Sequence, residues 1–387
     1  MIYRLFIKVG LEHFALGLQL PILVALPLSR GLTLAQIGTL EAILALVLFC
    51  FEVPSGYIAD KLGRKYAMAA SSIAFAASYG LFAMAQNFSS FITPFIFMGI
   101  GFAMLSGTDE AYLFDSLKDI NKQKEYKRWY GRLTITDEMV TIIGLGVSTV
   151  IAYFISPAAV FSFAALAMLL TAIYTFIFIK ESKSHTDEPK STIQAFEQKP
   201  LSISKRAISF LKKHAAFIIV LLAFALLDES GRLLWQPRIL DLGFTISTLG
   251  IVYAGLKLFS IIGAWFSGNL DCKIRRLHFF IIGIFTAISF ILVGFGNVYL
   301  VISGLALYFL IENVFRVFRS EYLNERVGSK YRATFISLNS FSTSTFAALF
   351  VIVLGVVADQ RLVYGFLLLA GVKLIASFVS LALPKEK

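Results

Sequence analysis

The sequence predicts an all-α polytopic membrane protein, with twelve membrane-crossing helices arranged as two pseudo-symmetric six-helix bundles. Three observations carry this. Over 387 residues, 58% are hydrophobic, only 15% are charged, and the mean hydropathy is +0.78, a balance that no soluble domain of this length shows. Apolar stretches near the ~20 residues needed to cross a bilayer recur along the chain, joined alternately by short polar turns and by basic segments. One long polar stretch, roughly residues 181–214, divides the chain into an N-terminal bundle over 1–180 and a C-terminal bundle over 215–387.

In order, the spans fall at roughly 5–28, 34–58, 66–86, 91–116, 132–154 and 159–179, then 216–238, 246–268, 277–296, 298–320, 333–357 and 362–383. Helix 1 follows Met1 without a small-residue cleavage site, so no removable signal peptide is expected. Helices 3 and 4 are joined by the short turn Gln86-Asn-Phe-Ser-Ser90, and helices 4 and 5 by a basic segment from Lys118 to Arg132. Most of the 35 Lys and Arg fall on the side holding both termini, which the positive-inside rule makes cytoplasmic. The formal charge of +11 is spread over these membrane-flanking loops. It therefore implies attraction to anionic lipid and no nucleic-acid partner. Within the central stretch, Ile203 to His214 sets apolar residues at helical spacing among Lys and Arg, as in an amphipathic helix on the inner leaflet.

Between helices 2 and 3 stands Gly56-Tyr-Ile-Ala-Asp60-Lys-Leu-Gly63-Arg64-Lys65. Its two glycines permit close approach of helix ends, and Asp60 and Arg64 can form charge-assisted bonds. Asp271, Arg275 and Arg276 repeat the spacing of Asp60, Arg64 and Lys65 half a chain later. On this signature, its second copy and the six-plus-six division, the chain resembles the major facilitator superfamily of secondary transporters over its whole length. Glu52-Val-Pro-Ser-Gly56, Ser106-Gly-Thr-Asp-Glu-Ala-Tyr-Leu-Phe-Asp115 and Arg332-Ala-Thr-Phe-Ile-Ser337 resemble phrases of its bacterial efflux-type members. The resemblance implies a substrate site near the midplane between parallel halves. It also implies a cytoplasmic gate in which Asp60 and Arg64 join an acid ending helix 4, here Asp115. Gly144-Leu-Gly146 allows close packing of helix 5 but departs from the Gly-Pro motif of many drug exporters.

Ionisable residues inside spans are costly and should face a cavity or a partner. The N-terminal half places Glu12 in helix 1, Glu41 in helix 2, Asp109 and Glu110 in helix 4, and Asp137 and Glu138 in helix 5, with no Lys or Arg expected at that depth. Except for Glu41, these lie ~9–13 Å from the cytoplasmic ends, so helices 1, 4 and 5 are expected to share an acidic layer that binds protons or a cation. Adjacent acids point ~100° apart, so at most one of each pair lines a central path. Glu12, Glu41, Asp109 and Asp137 are the candidate coupling residues. His13, beside Glu12, either joins a relay or is an interhelical histidine.

The C-terminal half is charge-balanced: Asp228, Glu229 and Arg232 in helix 7, Lys257 in helix 8, Glu312 and Arg316 in helix 10, and Lys373 in helix 12, which is long enough to snorkel. Asp228 with Arg232, and Glu312 with Arg316, are i,i+4 pairs that either fix packing or open on substrate binding. Lys257 is the candidate anion contact. Trp235, followed by Pro237, would present a ring with Tyr253 and Tyr308 to a cationic or aromatic substrate.

No phosphate-cradling Gly-Lys-Ser/Thr loop is present, Cys50 and Cys272 have no metal-ligand spacing, and neither a cofactor nor a catalytic triad is legible. The expectation is therefore a non-enzymatic secondary transporter of the bacterial inner membrane, working as a monomer on protons and a small organic molecule. Proton-coupled efflux leads. Proton-coupled uptake of an organic anion and a non-transporting sensor are the alternatives.

Overall fold

A computed structural model describes residues 2–181, 231–268, 276–326 and 346–381. Among them every regular element is helical. In chain order these are α1 (Ile2–Gln19), α2 (Ala25–Ser29), α3 (Leu34–Leu62), α4 (Arg64–Met84), α5 (Phe88–Leu105), α6 (Thr108–Lys118), α7 (Tyr126–Phe154) and α8 (Pro157–Phe178). Then come α9 (231–241), α10 (Leu249–Gly268), α11 (Arg276–Phe295), α12 (Val298–Arg326), α13 (Phe346–Gln360) and α14 (Leu362–Ser380). Ten spans among the described residues are long and apolar enough to cross a membrane, and α13 is a shorter apolar helix. The ten correspond to expected helices 1–6, 8–10 and 12. Expected helices 7 and 11 are described only from residues 231 and 346, and the central segment 182–214, the second signature copy at Asp271 and Arg275, and Asp228 lie outside the described residues.

The chain forms two units: one of Met1–Arg30, Ile43–Ser202 and Ile246–Ile251, the other of Gly31–Ala42, Ile203–Thr245 and Val252–Lys387. In the first, α4 packs along α5 and α8, and α1 along α7 and α8; in the second, α11 packs along α12 and α14. The aromatic residues serve as interhelical filler here: Phe82 stacks on Phe161 at 4.2 Å and meets Phe91 edge-on at 4.9 Å.

Arg30 clamps the end of α4, donating to the carbonyls of Phe82, Ala83 and Ala85. Arg238 does the same for α11, donating to Val293 and Gly296 at 2.9 Å each. Both satisfy carbonyls that a helix end otherwise leaves without partners.

Two expected spans are not continuous. In expected helix 1, α1 ends at Gln19, the chain tightens into a 3₁₀ turn over Leu20–Ile22 that holds Pro21, and the helix resumes as α2. Expected helix 4 divides into α5 and α6 at Ser106-Gly107, where Gly107 adopts a left-handed φ of 67°. A residue without a Cβ takes that conformation at no steric cost. Helix 5 begins earlier than expected, at Tyr126, and helix 10 continues to Arg326. α9 continues through Pro237.

Candidate functional site

The break at Gly107 places Asp109 and Glu110 in the first turn of α6, where the helix dipole favours negative charge. Asp109 faces α1. Lys8 of α1 is fully buried, and its Nζ lies 2.8 Å from each carboxylate oxygen of Asp109. Glu12, one turn along α1 and also fully buried, forms an ion pair with the same ammonium. This overturns the expectation of an acidic layer without a base: Lys8 neutralises one of two carboxylates from within the bundle. Charges held away from water persist only when paired and hydrogen-bonded. With every group ionised, the triad carries one net negative charge.

A second cluster adjoins it on the same helix. His13 Nε2 lies 4.0 Å from an oxygen of Asp137, and His13 Nδ1 lies 3.4 Å from the hydroxyl of Thr141, both on α7. Glu110 points elsewhere, accepting from the Tyr130 hydroxyl at 3.0 Å. Glu41 is half-buried in the part of α3 that belongs to the second unit.

Six residues beyond Asp109, about 9 Å along α6, Asp115 forms a 3.0 Å ion pair with Arg64. Around it the ends of four helices are tied by polar contacts. Tyr112 of α6 donates to the Lys180 carbonyl at 2.7 Å, and Arg4 of α1 donates to the Phe178 carbonyl at 2.9 Å. The Glu181 carboxylate accepts from the backbone N–H groups of Arg64 and Lys65 at 3.1 and 3.0 Å, capping α4. Nothing in the sequence reading singled out Glu181, although a carboxylate just past a span is what a neighbouring helix N-terminus attracts. Of the signature, the Asp60 side chain lies outside the described residues. Gly56 lies within α3, and no described atom lies within 4 Å of a Cβ placed there, so among the described residues the expected close approach at that glycine is absent.

Gly63 is the glycine that matters. Its φ of 109° belongs to a region that side chains avoid, and a Cβ there would lie 2.6 Å from Glu181 Oε2. Gly63→Ala is expected to cost about 1–3 kcal/mol, read as a lower melting temperature in detergent. Adding Glu181→Ala relieves the collision but leaves the backbone strain and removes the cap on α4, so stability should not return.

In the second unit, a cavity of about 180 Å³ is lined by side chains of α9, α10 and α12, among them Arg232, Trp235, Lys257, Glu312 and Arg316. The expected Glu312–Arg316 pair is present at 3.0 Å. Trp235 meets Tyr253 at 5.2 Å, and Phe309 lies 5.5 Å from both Tyr253 and Tyr308, so the expected aromatic group is assembled. Lys373 does not snorkel: it is 4% exposed, with its ammonium 5.9 Å above the Phe315 ring.

Many apolar helices, buried charges at a broken helix and an ion-paired helix junction define a multi-pass membrane transporter. The chain belongs to the Major Facilitator Superfamily, whose sequence profile matches residues 5–350. It is 24% identical over 340 residues to the uncharacterized MFS-type transporter YxaM of Bacillus subtilis (strain 168), covering 86% of this chain and 82% of that one. Over 197 residues it is 26% identical to the quinolone resistance protein NorA of Staphylococcus aureus, covering 51% of this chain and 48% of NorA. Among solved structures, the nucleoside transporter NupG superposes with a TM-score of 0.80 at 15% identity, over 100% of this chain and 99% of NupG. The POT family transporter PepTSo gives 0.76 at 13%, over 98% and 97%. These two likenesses show the fold alone.

Proposed function

We propose that this chain is a proton-coupled secondary transporter that exports a small organic molecule by alternating access. The observation that carries the proposal is the placement of Asp109 and Asp115 on one short helix, α6: the first is bound to the buried Lys8, the second to Arg64 of the signature. One proton brings the Lys8–Glu12–Asp109 triad to neutrality and weakens the hold of Asp109 on Lys8. Gly107 is the joint about which α6 then moves, and that motion acts on the Arg64–Asp115 pair. Asp137, with His13, is the adjoining proton site, and Glu41 is a further acid of the same kind. Asp60 and Lys65 complete the gate.

In this reading the protein works as a monomer in the bacterial inner membrane with both termini in the cytoplasm. It takes no cofactor or metal and catalyses no covalent step. Export is favoured by similarity to a protein named for quinolone resistance. The cations lining the cavity favour a second reading, uptake of an organic anion with protons.

Proton flux in proteoliposomes of known orientation tests both, with cationic, neutral and anionic compounds added in turn. Substrate-driven proton antiport, abolished in Asp109→Asn, is the expected result. Cotransport in one direction would replace export with uptake, and binding without any flux would leave only a sensor.

A further inference from the structure

We infer that the cavity of the second unit binds a single-ring aromatic carboxylate, its acid group held by Lys257 and the Trp235 indole N–H and its ring packed against Tyr253 and Phe309. This rests on the second reading above, in which the cations of that cavity take an organic anion, and adds the class of molecule.

Size comes first. A closed apolar cavity of roughly 150 Å³ takes one benzene ring, and this partly open cavity, whose walls are more polar than apolar, measures about 180 Å³. Its walls suit a ring: Trp235, Tyr253 and Phe309 stand 5.2–6.5 Å from one another, tilted or edge-on, the geometry in which a further aromatic face is accommodated. Charge comes second. Arg232, Lys257 and Arg316 line the cavity with one described carboxylate, Glu312, which is ion-paired with Arg316. The third observation is Trp235 itself, 2% exposed, whose Nε1–H is buried with no hydrogen-bond partner among the described residues. A buried donor of this kind is satisfied by an acceptor brought in by a ligand. A carboxylate supplies acceptor oxygens to the Trp235 N–H and the Lys257 ammonium alike, whereas an ammonium brings only donors.

The test is equilibrium binding of benzoate, benzamide and benzylammonium to the purified full chain. The three share a ring and differ in head-group charge. Acetate serves as the ringless control. Benzoate should bind about tenfold more tightly than benzamide or acetate. In Lys257→Gln that preference should vanish, and in Trp235→Phe, which keeps a ring but loses the N–H, benzoate should weaken several-fold. Glu312→Gln, which removes the one described carboxylate from the cavity wall, should tighten benzoate.

Equal binding of the three aromatic probes on the parent protein overturns the proposal without any variant. So does preference for benzylammonium, which would follow if Asp228 and Glu229, set just before Arg232 in the sequence and outside the described residues, outweighed the three cations. Since the readout is binding, failure of transport leaves this result standing. Proton antiport with other compounds, without benzoate preference, sinks only the carboxylate.

Discussion

Lys8→Met is expected to destabilise the protein by about 3–5 kcal/mol and to abolish proton-driven flux. The variant keeps the length and apolar stem of the side chain but leaves Glu12, fully buried, and Asp109 facing each other without the ammonium that both contact. Breaking a buried pair costs far more than the pair itself contributes, because an uncompensated charge remains in a low-dielectric site. Replacing the whole set removes that penalty. The triple variant Lys8→Met, Glu12→Gln, Asp109→Asn should therefore melt close to the parent temperature while remaining without flux. Melting in detergent and flux in proteoliposomes separate the two roles. A triple variant as unstable as Lys8→Met would mean that Lys8 is needed for packing and not as a counter-ion. A triple variant that still exchanged protons would remove the triad from coupling altogether.

Lys8 shows where the sequence is readable and where it stops. The i,i+4 rule that correctly joins Glu312 to Arg316 applies equally to Lys8 and Glu12, yet Lys8 lies close to the chain start. A lysine there is ordinarily credited with reaching the interface, as the positive-inside count assumes. Only the packing of α6 and α8 over α1 shows that it cannot. The break in helix 4 was also written locally. Ser106-Gly107 followed by Thr-Asp-Glu is a turn dipeptide followed by a first turn rich in acids, but an unbroken apolar run around it reads as one span. The Arg64–Asp115 pair was legible through the signature, since its partners sit at fixed helix ends. Glu181 was not, because its partners are backbone N–H groups 116 and 117 residues away. In the second unit Trp235, Tyr253 and Tyr308 are legible as an aromatic group, but Phe309, which joins Tyr253 to Tyr308, is not. The cavity's volume is not legible either, because side chains of three helices must converge to line it.

Gly144→Ala is expected to cost about 3 kcal/mol, the upper part of the range for overpacking, and to reduce flux further than the loss of folded protein explains. A Cβ on Gly144 would lie 2.6 Å from the Phe14 carbonyl oxygen and 3.0 Å from the Gly17 Cα, and a Cβ on Gly17 would press on the Thr141 carbonyl. The three nearest atoms at each glycine are backbone, which no rotation of a side chain can move, so the two helices must separate. Small residues permit this approach between membrane helices, where van der Waals contact replaces the hydrophobic driving force available in water. Separation of α1 from α7 would also move His13 away from Asp137 and Thr141, which is why transport should suffer beyond stability. Gly146 is the control. Among the described residues nothing lies within 4 Å of its added Cβ, so Gly146→Ala should change stability by no more than about 0.5 kcal/mol. Gly17→Ala combined with Gly144→Ala should cost little more than either alone, because both demand the same increase in helix separation. Full additivity in that double variant, measured by thermal unfolding, would show that the two glycines act at independent contacts and that α1 and α7 tolerate displacement.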